Sequence, residues 1–95
     1  MNAAAMEPYQ RLAPEDRRHW WWNGRLTRSA RLDVIVYQVN GVDWVVEMRE
    51  GGVTGFVRWL RAVSEDDALD TAARAREVGD GWRSVPLPTR DPRPE

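Results

Sequence analysis

Two stretches rich in Val, Ile and aromatic residues, "LDVIVYQV" and "VDWVVEMR", flank an Asn-Gly pair and predict a β-hairpin. Asn40-Gly41 is the preferred kind of two-residue hairpin turn, because both of its positions require positive φ. With a two-residue turn, Tyr37 opposes Trp44, and the neighbouring pairs on that face are apolar as well. A slip of one residue would mix the two faces, so the turn and the pattern favour the same register.

A third strand is predicted over residues 53–63, after a Gly-Gly pair that marks a second turn. In that register Val57 and Trp59 lie on the hairpin face that carries Trp44. Gly55 interrupts the strand and predicts a bulge. The three strands together predict an antiparallel meander in the order 1-2-3.

A capped helix is predicted over residues 64–81. Ser64 is a favourable N-cap, acidic residues fill the first turn, and Gly79 is a favourable stop. The buried stripe of this helix consists of Ala68, Leu69, Ala72, Ala75 and Val78. Its alanines allow a close approach to the sheet, which supplies bulk through Tyr37, Trp44 and Trp59.

A short N-terminal helix is predicted within residues 13–24, with Pro14 at its first position and Asn23-Gly24 as its stop. This segment contains three consecutive tryptophans. On a helix they would span about 200° of circumference, which is wider than one buried stripe. Either the segment lies between two surfaces, or one indole ring is left for a partner.

One helix can cover only one side of such a sheet, and the other side is also predicted to be apolar. Its expected members are Leu32, Val34, Val36, Val45, Phe56 and Leu60. A patch of that breadth does not face water. Either the tryptophan segment of the same chain covers it, or another protein or a second copy does. The predicted partner-binding residues are Arg17, Arg18, Trp20, Trp21, Trp22 and Phe56, because Trp and Arg are enriched in binding hot spots.

The predicted fold class is therefore α+β. It is a three-stranded antiparallel β-meander packed on a C-terminal α-helix, with a short N-terminal helix and a disordered Pro-rich tail. The predicted organisation is a flexible N-terminus over residues 1–12, a single domain over 13–85 and the tail over 86–95, where prolines prevent regular structure.

Composition narrows the function classes. The chain has 95 residues, a formal net charge of −1, no Cys, and only Arg among its 14 basic residues. Disulfides and thiolate metal sites are excluded, and no apolar run is long enough to span a membrane. The opening residues do not resemble a secretion signal, so we expect a cytoplasmic protein. The Arg, Ala, Val and Gly content indicates a bacterial or phage genome.

The sequence gives little support for a catalytic function. His19 is the only histidine, and a catalytic base needs partners in a defined geometry. Ser64 is better explained as a helix cap, and the acidic residues after it as a complement to the helix dipole. No phosphate-binding glycine loop is present. We expect no enzyme activity, no cofactor, no bound metal and no small-molecule substrate.

Nucleic-acid binding is the alternative function. Residues 43–72, "DWVVEMREGGVTGFVRWLRAVSEDDALDTA", resemble in pattern the arm-binding domains of phage-type integrases, which place a helix after three strands. The resemblance implies contacts with DNA through the sheet face. The residues that would make them are Arg25, Arg28, Arg31, Arg49 and Arg58.

The main prediction is a small non-enzymatic protein-binding module, either a regulatory or accessory protein or a phage-type inhibitor. It would act by docking on an unidentified partner protein, with homodimerisation as a further option.

Overall fold

The computed structural model describes residues 12–51 and 56–87, and these form a five-stranded antiparallel sheet with one α-helix. The elements are β1 Arg17–Trp22, β2 Leu32–Val39, β3 Asp43–Glu50, β4 Phe56–Ala62, α1 Glu65–Ala75 and β5 Arg83–Ser84. The strand order is β4-β3-β2-β1-β5. The predicted α+β class and the β2-β3-β4 meander are confirmed, whereas the prediction of only three strands is wrong.

The predicted N-terminal helix is also wrong. Pro14–Asp16 form a single 3₁₀ turn, and the chain then enters β1, which pairs with β2. The physical reason lies in the three tryptophans. A strand sends alternate side chains to opposite faces, so a sheet buries Trp20 and Trp21 on different sides, which one helix stripe cannot do.

The β2-β3 hairpin forms at the predicted turn but in a different register. Asn40 and Gly41 both take positive φ, as predicted. Val42 also belongs to the turn, and the ladder begins with Val39 opposite Asp43. Because the loop has three residues instead of two, every side chain of β3 lies on the opposite face from the one predicted.

Strand β4 is shifted as well. Leu60 lies opposite Val46 and Trp59 lies opposite Glu47, so the prediction that Trp59 faces Trp44 is wrong. Phe56, Leu60 and Ala62 therefore share the face that carries Trp44. The glycines that were expected to set this register, Gly52 and the bulge residue Gly55, lie outside the described residues.

The helix face of the sheet is defined by Val34, Val36, Val46 and Met48, and it packs against α1. The three valines form one buried cluster with the helix residues Ala68 and Ala72. The predicted close approach of an alanine stripe is confirmed. Trp44 supplies bulk as predicted, whereas Tyr37 and Trp59 pack on the opposite face. The other side chains packed around this cluster are Trp21, Met48, Ala62, Ala75 and Trp82.

Helix α1 begins at the predicted residues but ends at Ala75, well before the end of the predicted span, so Val78 lies beyond it and is 65% exposed. The Ser64 hydroxyl accepts a hydrogen bond from the Asp67 amide at 3.1 Å, and the Asp67 carboxylate accepts one from the Val63 amide at 3.0 Å. This reciprocal arrangement approximates a capping box. The helix ends at Ala75, and Gly79 takes positive φ in the turn that follows.

The carboxylate face is the opposite face of the sheet, defined by Asp33, Ile35, Tyr37, Val45 and Glu47. The three uncharged members are fully buried. The side chains that pack against them are Leu12, Trp20, Val39 and Trp59. The face predicted to need cover by the tryptophan segment was wrong: Val34 and Val36 lie under α1 on the helix face, and the tryptophan segment is itself strand β1 of the sheet.

Two carboxylates are buried on this face, each with 3% of its residue surface exposed. Asp33 accepts hydrogen bonds from the Arg31 guanidinium at 2.7 and 3.0 Å and from the Trp20 indole at 2.8 Å. Glu47 pairs with Arg49 and accepts a hydrogen bond from the Trp59 indole at 2.9 Å. A buried charge is tolerated only when it is paired and hydrogen-bonded, and both are.

The connector between β1 and β2 is organised by Asn23. Its side-chain amide donates to the Ala30 carbonyl at 2.8 Å, and its side-chain oxygen accepts from the Leu32 amide at 3.0 Å. Next to it, a Cβ on Gly24 would lie 2.8 Å from the Gly81 carbonyl oxygen. Both glycines take positive φ. This close approach leads the chain into β5.

Part of the predicted organisation lies outside the described residues. Residues 1–11 hold all but one position of the predicted flexible N-terminus, and residues 88–95 hold most of the predicted Pro-rich tail. Within the described part, residues 85–87 form no regular element.

Candidate functional site

The sheet ends at β4, and no other strand pairs with the outer side of β4 within residues 12–51 and 56–87. The opposite end is protected differently. There β5 pairs with Trp21 and Trp22, and the pairing of β1 with β2 shifts register between Arg17 and His19. Short strands and bulges are common ways to protect a sheet edge. Strand β4 is the longer and less protected of the two edges.

Large apolar side chains are exposed along this edge. Phe56 is 69% exposed, Leu60 is 42% exposed, and Val63, just after the strand, is 91% exposed. We call these three residues together with Arg58 the β4 surface. Phe56 and Leu60 lie on the helix face, but α1 packs chiefly over the buried valines of β2 and β3. The helix also contacts β4, but it leaves Phe56 and Leu60 exposed.

A groove of about 240 Å³ adjoins the β4 surface, between the C-terminal end of α1 and the sheet. Its apolar lining is Leu32, Val34, Met48, Ala75, Val78 and Trp82. Glu50 and Arg58 also line it, and neither makes an ion pair within the described part of the chain. The groove extends the apolar surface and places one charge of each sign beside it.

The charges around β4 are unevenly distributed. Arg61 reaches Asp43 at 3.4 Å, and both side chains are exposed. The first turn of α1 follows directly after β4 and is acidic, with Glu65, Asp66 and Asp67. Glu65 meets His19 at 3.1 Å, whereas Asp66 has no ion-pair partner in the described residues. One end of the edge strand is therefore acidic, and Arg58 lies nearer the other.

The three predicted tryptophan contacts are half-buried in β1. The Arg17 guanidinium lies 4.7 Å from the Trp20 ring centroid, the Arg31 guanidinium 4.5 Å from that of Trp22, and the Arg76 guanidinium 3.9 Å from that of Trp21. Each indole thus has a cation on its face, a favourable contact.

Trp21 has a second neighbour as well. The His19 ring stacks with the Trp21 ring, with centroids 5.7 Å apart and planes within 5°. Burial lowers the pKa of the Arg76 guanidinium that covers Trp21. All three indoles therefore contact groups of their own chain, and their role in binding a partner stays a prediction.

The predicted partner contacts Arg17 and Arg18 also make contacts within the chain. Arg17 donates a hydrogen bond to the Tyr37 hydroxyl at 3.2 Å, and Arg18 donates one to the Gln38 side chain at 3.4 Å. Phe56 is the one predicted partner contact that the structure places on the β4 surface. The predicted contact set is thus divided between the two ends of the sheet.

The predicted nucleic-acid contacts do not form one cluster. Arg31 and Arg49 lie on the carboxylate face, where each binds a buried carboxylate. The hydrogen bond to Asp33 raises the pKa of Arg31. Burial lowers the pKa of Arg49, but the attraction of Glu47 outweighs burial and leaves this pKa raised.

The remaining three of these arginines lie apart from that face. Arg58 belongs to the β4 surface, Arg25 is exposed in the connector, and Arg28 lies in the short 3₁₀ turn of that connector.

Two further observations concern the described residues. They hold no group of three or more His, Cys, Asp and Glu side chains placed to bind a metal ion. The single helix among them is too short and too polar to cross a membrane.

Sequence reasoning missed Leu60 and Val63 as residues of this surface. Leu60 was assigned to a sheet face that something else covers, and Val63 was the last residue of a predicted strand. Alternation of apolar side chains gives the face of a residue but not the position of its strand in the sheet. A register based on the true loop length would have placed Leu60 opposite Val46.

Comparison of this chain with protein-family models, with curated proteins and with solved structures finds no match.

Proposed function

We propose that this chain is a protein-binding module that docks an extended segment of another chain on β4. The observation that carries the proposal is an edge strand with large exposed apolar side chains, whose outer side pairs with no strand of the described residues. An edge strand offers main-chain hydrogen bonds to an added strand, and pockets for alternate side chains provide specificity. The β4 surface supplies Phe56 and Leu60 on alternate positions of one face.

The neighbouring groove supports the same proposal. Arg58 lines both the groove and the β4 surface, and the groove volume of about 240 Å³ suits one large side chain of a docked segment. Arg58 and Glu50 at its border would orient the segment by charge. Docking in this way requires no catalytic group, in keeping with a non-enzymatic role.

Nucleic-acid binding has less support. Arg31 and Arg49 are neutralised by Asp33 and Glu47, so they add little net charge for phosphate binding. The acidic first turn of α1 lies directly after β4 and would repel a phosphate backbone. Protein docking accounts for the exposed apolar residues, and nucleic-acid binding does not.

Capture of binding proteins from host lysate with tagged protein tests the proposal. We expect the wild type to retain bound protein and Leu60→Asp to lose it, because a buried carboxylate without a partner opposes docking. Leu26→Asp is the matched control. Leu26 is 87% exposed in the connector, outside the β4 surface, and its replacement should leave capture unchanged.

Far-UV circular dichroism of both variants shows whether the fold is retained. Equal capture by the wild type and a folded Leu60→Asp variant would contradict docking on β4. Loss of capture in Leu26→Asp, but not in Leu60→Asp, would move the site to the connector.

A further inference from the structure

We propose that the chain docked on β4 is a second copy of this protein, with the two β4 strands antiparallel around a two-fold axis at Leu60. This inference rests on the proposed function and names the partner of the same surface. A two-fold interface uses one patch twice, so the patch must complement itself. The side chains along β4 meet that condition in one register.

In the register centred on Leu60, Leu60 of each copy faces its counterpart, and Trp59 faces Arg61 of the second copy. The first pair joins two exposed apolar side chains on the helix face. The second places a guanidinium against an indole on the carboxylate face, the same kind of contact that Arg17 makes with Trp20.

The alternative register, centred on Trp59, is less favourable. It places Arg58 opposite Leu60 of the second copy, so the two Arg58 side chains become diagonal neighbours on one face. Like charges at that separation repel. Centring on Leu60 places Arg58 opposite Ala62 and separates the two Arg58 side chains by four residue positions, about 14 Å along the strands.

Charge complementarity favours the same register. An antiparallel partner brings the acidic end of its β4 beside the half of β4 that carries Arg58. The first turn of the second copy's α1 then lies on the same face as Arg58, with Asp66 without an ion-pair partner among the described residues. The pairing therefore offers Arg58 an acidic partner that it lacks among residues 12–51 and 56–87 of its own chain.

One exposed apolar residue at the end of the strand also finds a partner. In this register Val63 of one copy lies opposite Val57 of the other on the carboxylate face, whereas Phe56 lies on the helix face, opposite Ser64. The formal net charge of −1 adds no strong repulsion between copies. The centre of the edge and Val63 are thus buried by one symmetric contact.

Single-cysteine crosslinking tests the register, and the chain contains no natural cysteine. Directly opposed side chains have Cβ atoms about 4.5–5.5 Å apart, close to disulfide geometry. Under mild oxidation we expect Leu60→Cys to form a covalent dimer in high yield. Val63→Cys is the matched control. Val63 is more exposed than Leu60, but the two Val63 positions would lie about 20 Å apart, so its yield should be low.

The mass of the wild type in solution is the companion measurement. Size-exclusion chromatography with light scattering should show a dimer that dissociates on dilution. A monomer up to a concentration on the order of 1 mM would overturn the proposal, as would equal crosslinking yields from the two cysteine variants. If such a monomeric protein still captured a different protein through Leu60, docking on β4 would stand and self-pairing would fail.

A charge exchange tests the contact of Arg58 without altering the apolar residues. Arg58→Glu should weaken self-association on the order of tenfold, since two symmetric contacts change from attraction to repulsion. Adding Asp66→Arg should restore most of the affinity. No rescue by the double variant would overturn the assignment of Asp66 as the partner of Arg58.

Discussion

The two faces of the sheet are buried by different physical means. The helix face holds valines under an alanine stripe, and its burial depends on close packing of small apolar groups. The carboxylate face holds two buried anions, each joined to one arginine and one indole. The comparison teaches that this sheet needs only one helix, because its second face is covered by large side chains whose polar groups are satisfied on the face itself.

Breaking one ion pair on the carboxylate face should produce the largest effect. Arg49→Met leaves Glu47 buried with only the Trp59 indole as a partner, and we expect the free energy of unfolding to fall by about 3 kcal/mol. Chemical denaturation measures it. The control is Arg74→Met, which breaks the exposed Asp70–Arg74 pair and should cost at most about 0.5 kcal/mol.

The second variant needed is Glu47→Gln combined with Arg49→Met. It removes both charges and keeps a hydrogen-bond acceptor for Trp59, so it should be more stable than Arg49→Met alone. A double variant that is as unstable as the single one would show that Arg49 acts by packing and not by charge.

Overfilling the helix face should have an intermediate effect. Ala72 is fully buried between α1 and the sheet, so Ala72→Leu forces the two apart and should cost about 1–3 kcal/mol. Ala73 is exposed on the same helix, and Ala73→Leu should change stability by at most about 0.5 kcal/mol. Thermal unfolding compares the two. Equal stability of these variants would argue against close packing on the helix face.

The smallest expected effect is a loss of stability at alkaline pH, which arises from Tyr37 on the carboxylate face. Burial raises the pKa of the Tyr37 phenol, and the hydrogen bond from Arg17 opposes that effect only in part. The folded chain therefore holds this proton more tightly than the unfolded chain. The contribution is fully present below the unfolded pKa of about 10 and is lost as the pH rises through the folded pKa.

Tyr37→Phe removes this group. Its stability should decline less than that of the wild type as the pH rises above about 10, with a small loss at neutral pH from the missing hydrogen bond. Denaturation curves at a series of pH values measure the difference. Parallel alkaline declines would mean that Tyr37 does not titrate as a buried phenol.

Local features of the fold could be predicted from the sequence. Ser64 caps α1 through contacts within four residues, and Asn40-Gly41 takes the positive φ that such a pair favours. These features depend on neighbours along the chain, so a single sequence contains them. The same holds for the alanine stripe, of which Ala68 and Ala72 are buried.

The strand register and the identity of the edge strands could not be predicted from the sequence. The observed hairpin places Asp33 and Glu47 on one face, where an Arg two residues away and a Trp from another strand satisfy each of them. The two Trp partners are 13 and 12 residues away, so apolar pairing alone favoured the wrong register. Likewise, Phe56 was named as a contact, but the exposure of Leu60 depends on β4 being the last strand.

The contact between Gly24 and Gly81 bears on how the sheet can assemble. It leads the chain into β5, which pairs with Trp21 and Trp22 at the far end of the sheet. Larger side chains at Gly24 and Gly81 would displace β5 and leave both edges of the sheet open to an added strand, instead of one edge. A molecule with one such end stops growing once it is paired, whereas a molecule with two can extend into a filament. We therefore expect these two glycines to limit strand addition to the β4 edge and so to prevent polymerisation.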